Sequence, residues 1–197
     1  MTSLARTLVK RYGRKLRKTM NHFVARYSLI GDPEVFNAEQ FAWTGQLEAH
    51  WETIRDEALA LLQARSEIPH LGDISPDHQR LDYQRTWRTF FLRGYGYRVD
   101  DNCAKAPATA ALVDQIPGVL SALFSVFEPN THLPAHKGVT KGMITCHLPL
   151  VVPNQPEKCR IAVNDQSYHW TPGKFFIFDD TRQHEVWNET DQDRTFY

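Results

Sequence analysis

Gly173-Lys174-Phe175-Phe176-Ile177-Phe178-Asp179-Asp180-Thr181-Arg182-Gln183-His184-Glu185-Val186-Trp187 sets two short apolar runs on either side of a polar turn. Both runs are rich in aromatic and β-branched residues and too short for ordinary helices, so both read as strands. The same texture fills the C-terminal half. Apolar runs fall at 119–127, 143–152, 159–163, 174–178 and 184–187, punctuated by Asn130, Gly138, Pro153-Asn154, Asn164-Asp165 and Pro172-Gly173. Strands this short and evenly spaced predict an antiparallel sandwich or barrel of jelly-roll type.

Upstream the period changes. Leu4, Leu8, Tyr12, Leu16, Phe23 and Tyr27 stand at helical spacings over residues 3–28, with bases in between. Gly31-Asp32-Pro33 breaks that run. A second helix is expected over about 38–64, with Leu47, Trp51, Ile54, Ala58 and Leu61 as its apolar stripe. Residues 66–82 read as loop, Trp87–Tyr97 as an aromatic strand, and Pro107 as the start of a short helix ending near Pro117. The chain therefore reads as mainly β with N-terminal helices. Residues 1–31 form a basic amphipathic helix, and 32–197 form one domain with a helical lead-in at 32–117 and a barrel core at about 85–197.

A chain of 197 residues buries roughly 70% of its unfolded surface, enough for a core without disulfides. The three cysteines, Cys103, Cys146 and Cys159, lack CxxC spacing, which argues against a zinc ribbon and fits a reducing compartment. Net charge is zero but uneven. Arg6, Lys10, Arg11, Arg14, Lys15, Arg17, Lys18 and Arg26 precede the first acid, Asp32. No apolar run approaches the roughly 20 residues that span a bilayer, and bases interrupt any secretory core. The expected location is cytoplasmic, with peripheral contact at the inner membrane face through residues 3–28. No aromatic-basic stacking module supports nucleic-acid binding.

Two histidines on separate strand-like runs, His136 and His184, with Arg194 ten residues beyond the second, suggest one chemistry. Imidazoles suit iron(II), and a guanidinium fork suits the carboxylate of an acidic cosubstrate. A carboxylate two residues after the first histidine would complete such a site. Gly138 stands there instead. Asp179 and Asp180 precede His184 by a turn and are assigned to hydrogen-bonding that turn.

The segments Phe124–Gly138, Thr145-Cys146-His147-Leu148-Pro149-Leu150, Gly173–Asp180, His184-Glu185-Val186-Trp187-Asn188 and Asp191-Gln192-Asp193-Arg194 together resemble the aspartyl/asparaginyl β-hydroxylase family of iron(II)/2-oxoglutarate dioxygenases. The resemblance covers about residues 85–197. Trp51-Glu52-Thr53-Ile54-Arg55-Asp56-Glu57 also looks like the pre-barrel helix of that family's bacterial lipid A acyl-chain hydroxylases.

The resemblance implies a double-stranded β-helix and an Fe(II)-dependent hydroxylase using 2-oxoglutarate and O2 as cosubstrates. It implies iron ligation by His136 and His184, and 2-oxoglutarate held by Arg194, Ser125 and His147, with Trp87 walling the pocket. Gly138 is what the peptide-hydroxylating animal members carry, whereas the lipid-acting members usually carry Asp. Thr145 stands where the family often has Arg, and the chain ends soon after Arg194, inside the expected strand.

The expected reaction is hydroxylation of an unactivated C–H, first at the β-carbon of aspartyl or asparaginyl residues or a related acidic substrate. The alternative is an acyl chain of lipid A or another membrane lipid. A reading of another class is a non-catalytic cupin-like binding module. The expected partners are a peptide, protein or lipid substrate, and no nucleic acid.

Overall fold

A computed structural model describes the backbone of residues 3–197 and the side chains from Tyr12 onward, Asp77 excepted. The side chains of Leu4, Arg6, Leu8, Lys10 and Arg11, part of the expected basic helix, lie outside the described residues.

Helix α1 spans Ser3–Tyr27. It ends before Gly31, whose φ of +81° turns the chain at little cost because glycine lacks a Cβ. The single helix expected over 38–64 is three pieces. A 3-10 turn at Ala38–Gln40 precedes α2 (Thr44–Ala49) and α3 (Trp51–Leu62), with His50 between the two α-helices. Leu47, Ile54 and Ala58 are buried at helical spacing and form the inner stripe. The expected loop at 66–82 contains the short helix α4 (Leu71–Ile74) and a 3-10 turn at Pro76–His78.

Two short helices follow, α5 (Asp100–Lys105) and α6 (Pro107–Val113). Pro107 sits at the start of α6, where its missing N–H costs nothing. Glu57 on α3 accepts hydrogen bonds from the Ala108 and Thr109 amides at 2.9 and 2.8 Å and so caps α6.

The strands are β1 (Val35–Phe36), β2 (Trp87–Gly94), β3 (Tyr97–Arg98), β4 (Ala122–Phe127), β5 (Thr131–His136), β6 (Thr145–His147), β7 (Pro149–Val151), β8 (Cys159–Val163), β9 (Gln166–Tyr168), β10 (Phe176–Phe178), β11 (His184–Asn188) and β12 (Arg194–Phe196). Every pairing among them is antiparallel. They form three open sheets, ordered β1-β10-β6, β5-β11-β8-β9 and β3-β2-β4-β12-β7. The expected antiparallel, mainly β texture is present, but the described strands do not close hydrogen-bonded into a barrel.

The sheets are stitched by the chain itself. At Leu148, fully buried, it passes from β6 in one sheet to β7 in another. Leu148 and Tyr197 exchange backbone hydrogen bonds of 2.7 and 2.9 Å. Strand β12 is paired on both edges, by β4 and β7, so Arg194 sits on a central strand.

Two apolar clusters result. One packs α2, α3, α5 and α6 on β2, β4 and β7 through Ile54, Ala110, Phe90 and Leu150. The other gathers Phe127, Leu133, Ile161, Phe178, Val186 and Phe196 from all three sheets, with Trp170 from the loop after β9. Each such side chain contributes about 1.5–3 kcal/mol on burial, and the second cluster makes the walls of the site.

Candidate metal and cosubstrate site

His136 closes β5 and His184 opens β11, and the two residues are direct cross-strand partners. Opposed positions on one antiparallel pair place side chains on the same face, which brings the ring centroids to 4.0 Å. Each ring is held by a carbonyl two residues back. The His136 Nδ1–H donates to the Pro134 carbonyl at 2.9 Å and the His184 Nδ1–H to that of Arg182 at 3.0 Å. This fixes the tautomer and leaves each Nε2 lone pair for a metal. Burial lowers both pKa values, that of His136 to about 4, with the neighbouring imidazole adding to its shift. Both rings are therefore neutral at pH 7, the form that ligates.

No group of three or more His, Cys, Asp or Glu side chains is arranged to hold a metal among the described residues. The reason lies at Gly138. A Cβ built there would stand 2.2 Å from the Asp180 carboxyl carbon. The Asp180 side chain already fills the space that a residue-138 side chain would enter. Its backbone carbonyl also accepts the Gly138 N–H at 2.7 Å.

The two aspartates divide their work, and only Asp179 does what the sequence reading assigned. Asp179 accepts the Thr181 amide at 3.0 Å and the Thr181 hydroxyl at 2.6 Å, and pairs with Lys141. Asp180 makes no such turn bond: its Oδ1 is buried without a hydrogen-bond partner. Burial, and then Asp179, push its carboxyl up to about 6. An orphaned carboxylate oxygen packed against Gly138, two residues past His136, fits a cation or its bound water.

Arg194 is fully buried. Its guanidinium carbon lies 3.9 Å from the Trp170 and Phe196 ring centroids and 4.2 Å from that of Phe127. None of its three nitrogens has an oxygen acceptor among the described residues, and its polar neighbour is the Cys159 thiol. Burial drives the guanidinium pKa well down. Arginine does not surrender its proton in proteins, so the remedy for a caged cation is a bound anion. Trp170 adds a second free donor, since its buried Nε1–H also lacks an acceptor.

Between the imidazole pair and Arg194 lies His147 on β6. It stacks on Phe196 at 4.9 Å and meets Phe178 at 5.3 Å, while Phe178 meets His184 at 5.1 Å. Its Nδ1 is an orphan, and burial, with help from Arg194, lowers its pKa to about 3. Ser125 on β4 faces Phe196 on β12, and its hydroxyl accepts the Trp87 Nε1–H at 2.9 Å. Trp87 also packs edge-on against Phe127, at 5.0 Å.

All six residues singled out in the sequence thus converge on one apolar cluster from six strands. Trp170 and the role of Asp180 were missed. The doublet preceding His184 and the glycine at 138 were the available signals for Asp180. Trp170 follows β9 in a loop and carried none.

The fold and site together show an antiparallel β-protein with a close pair of neutral imidazoles and a fully buried arginine without an oxygen acceptor among the described residues. Residues 48–196 match the aspartyl/asparaginyl beta-hydroxylase family, and the chain belongs to it. It is 41% identical over 169 residues to the ornithine lipid ester-linked acyl 2-hydroxylase of Rhizobium tropici, covering 86% of this chain and 60% of that one. It is 32% identical over 156 residues to human aspartyl/asparaginyl beta-hydroxylase, covering 77% of this chain and 20% of that one. The chain therefore spans about three fifths of the first relative and one fifth of the second. A prolyl-4-hydroxylase of Pseudomonas putida superposes with a TM-score of 0.44 at 15% identity, over 75% of this chain and 83% of its own.

Proposed function

We propose that the protein is an Fe(II)- and 2-oxoglutarate-dependent hydroxylase whose substrate is the ester-linked acyl chain of a membrane lipid. The observation that carries the oxygenase reading is Arg194, a fully buried cation with no oxygen acceptor among the described residues, linked to a neutral histidine pair through the packed rings of Phe196, His147 and Phe178. The three open sheets would then be the walls of a double-stranded β-helix.

His136 and His184 would hold the iron, and Arg194 with the Trp170 N–H would hold the far carboxylate of 2-oxoglutarate. Iron bound there, with 2-oxoglutarate and O2, supplies the oxidant that turns C–H into C–OH while the cosubstrate becomes succinate and CO2. The chain's own residues orient and insulate. Pro134 and Arg182 carbonyls lock the ligand tautomers. Trp87 and Ser125 tie β2 to β4 behind the pocket. Phe127, Phe178 and Phe196 exclude water, which strengthens the Arg194–carboxylate attraction. Asp180, with its free oxygen, would accept a hydrogen bond from a metal-bound water in place of a carboxylate at 138.

The lipid reading rests on the Rhizobium relative, which matches at higher identity over more of this chain than the human protein does. Gly138 favours the second reading, the β-carbon of an aspartyl or asparaginyl residue. The test is to incubate the protein with Fe(II), 2-oxoglutarate and air, supplying ornithine lipid in one arm and an acidic peptide in the other. The mass of one oxygen added to an acyl chain supports the lipid assignment. The same gain on the peptide alone supports the second reading. Succinate formation with neither gain points to another substrate class.

A further inference from the structure

Helix α1 is built to be covered by something. Asn21, Val24 and Ala25 are its partly buried residues, and Ser28 just past its end is partly buried on the same side. Every residue from Tyr12 to Met20 is exposed. Tyr12, Leu16, Met20, Phe23 and Tyr27 stand at spacings of three and four and are 52–67% exposed. This makes a continuous apolar stripe on a face other than the one that meets the body, and Leu29 just beyond it is wholly exposed. Single exposed apolar residues need no explanation, but an uninterrupted row of them on one helix face does.

The charges say what covers it. Arg14, Lys15, Arg17, Lys18 and Arg26 are exposed on the same helix, and no acid precedes Asp32. An apolar stripe flanked only by bases complements an anionic lipid surface, with the stripe among the acyl chains and the bases at the headgroups. No helix is long and apolar enough to cross a membrane among the described residues, so such contact would lie in the plane of the interface.

The helix also reaches the site. Asn21 bonds to both sides of the segment that leaves His136, donating to the Val139 carbonyl and accepting the Lys141 N–H. Lys141 in turn bridges Asp32 and Asp179, next to Asp180. Val139 and Met143 in that segment are themselves exposed apolar residues.

We infer that α1 docks the protein in the plane of an anionic lipid surface and sets the 139–143 segment beside the reaction centre against that surface. The second half of this inference rests on His136 and His184 being that centre; the docking itself does not. Loss of Leu16 and Phe23 removes the docking, and loss of the bases weakens it roughly fivefold for each base.

The test is co-sedimentation of the full chain with phosphatidylcholine vesicles, with and without phosphatidylglycerol, at low and high salt. Succinate formation and thermal unfolding are read in parallel. The expected result is binding to anionic vesicles only, weakened by salt. Leu16→Glu with Phe23→Glu should abolish it while unfolding and succinate formation in solution stay unchanged. Protein that remains in the supernatant with anionic vesicles overturns the inference. So does sedimentation indifferent to those substitutions, or a solution dimer that they dissociate, which would make a second copy the cover. Failure of the oxygenase reading shows separately, as absent succinate with vesicle binding intact.

Discussion

Asp180 occupies the volume that a side chain on Gly138 would need, with a closest approach of 2.2 Å between its carboxyl and a Cβ built at 138. Gly138, two residues past the end of β5, carries no side chain, and the Asp180 carboxyl from the turn before β11 fills that space. Gly138→Ala should destabilise the protein by about 1–3 kcal/mol through overpacking and reduce iron retention. Gly138→Ala combined with Asp180→Gly should recover most of the lost stability. Denaturant unfolding of the single and double variants checks this; additive losses would show that the two sites do not compete for space.

Asp180 also gives the metal-free protein a pH signature. Its carboxyl titrates near 6 when folded and near 3.8 when not. The folded state thus binds the extra proton, so this contribution is complete below about pH 4 and is lost as pH rises through 6. The difference amounts to about 2–3 kcal/mol. Asp180→Asn should be the more stable protein at pH 7 and lose the advantage at pH 4. Urea titrations of both proteins across that range decide it.

The histidines work in the opposite sense. His136 is depressed to about 4, so the folded protein binds fewer protons than the unfolded chain between about pH 4 and 6.5. Stability from this group is present above 6.5 and lost as pH falls through 4. Iron binding should accordingly persist to about pH 5, well below the midpoint expected of a solvent-exposed imidazole pair. His136→Ala and His184→Ala should each abolish it, as read by titration of the metal-free protein.

Arg194 should behave as a receptor and not as a structural brace. Arg194→Met removes a buried charge that has no anionic partner, so the unfolding temperature should hold or rise. 2-Oxoglutarate at a hundredfold excess over its dissociation constant stabilises a protein that binds it by about 2.7 kcal/mol. The native chain should show that shift in thermal melts, and Arg194→Met should not. Collapse of the variant without cosubstrate would mean the guanidinium is a core element.

Glu57 lies far along the chain from the site and should matter only to stability. Removing its cap on α6 with Glu57→Ala should cost about 1–2 kcal/mol. Iron and 2-oxoglutarate binding per folded molecule should not change, which equilibrium unfolding and ligand titration read separately.

Much of this was legible from period and punctuation. The apolar runs at 159–163 and 184–187 became β8 and β11 almost residue for residue, because short strands bounded by turn residues leave little freedom. His136, His184 and Arg194 were singled out by spacing and resemblance, and the structure sets the two histidines opposite each other and Arg194 in the core. What could not be read was set by tertiary contact. The long helix expected at 38–64 breaks at His50, although Trp51 continues its apolar stripe. β5, which carries His136, contains Pro134, a residue that usually argues against a strand. Trp170 reaches Arg194 from a loop, and no spacing in the chain announces it.

Succinate release from 2-oxoglutarate under air, by the purified chain with Fe(II) added and withheld, tests the central claim most directly. Iron-dependent succinate that disappears in both His136→Ala and Arg194→Met is the expected result. Succinate that survives either substitution, or none from a native chain that binds iron and 2-oxoglutarate, would contradict it.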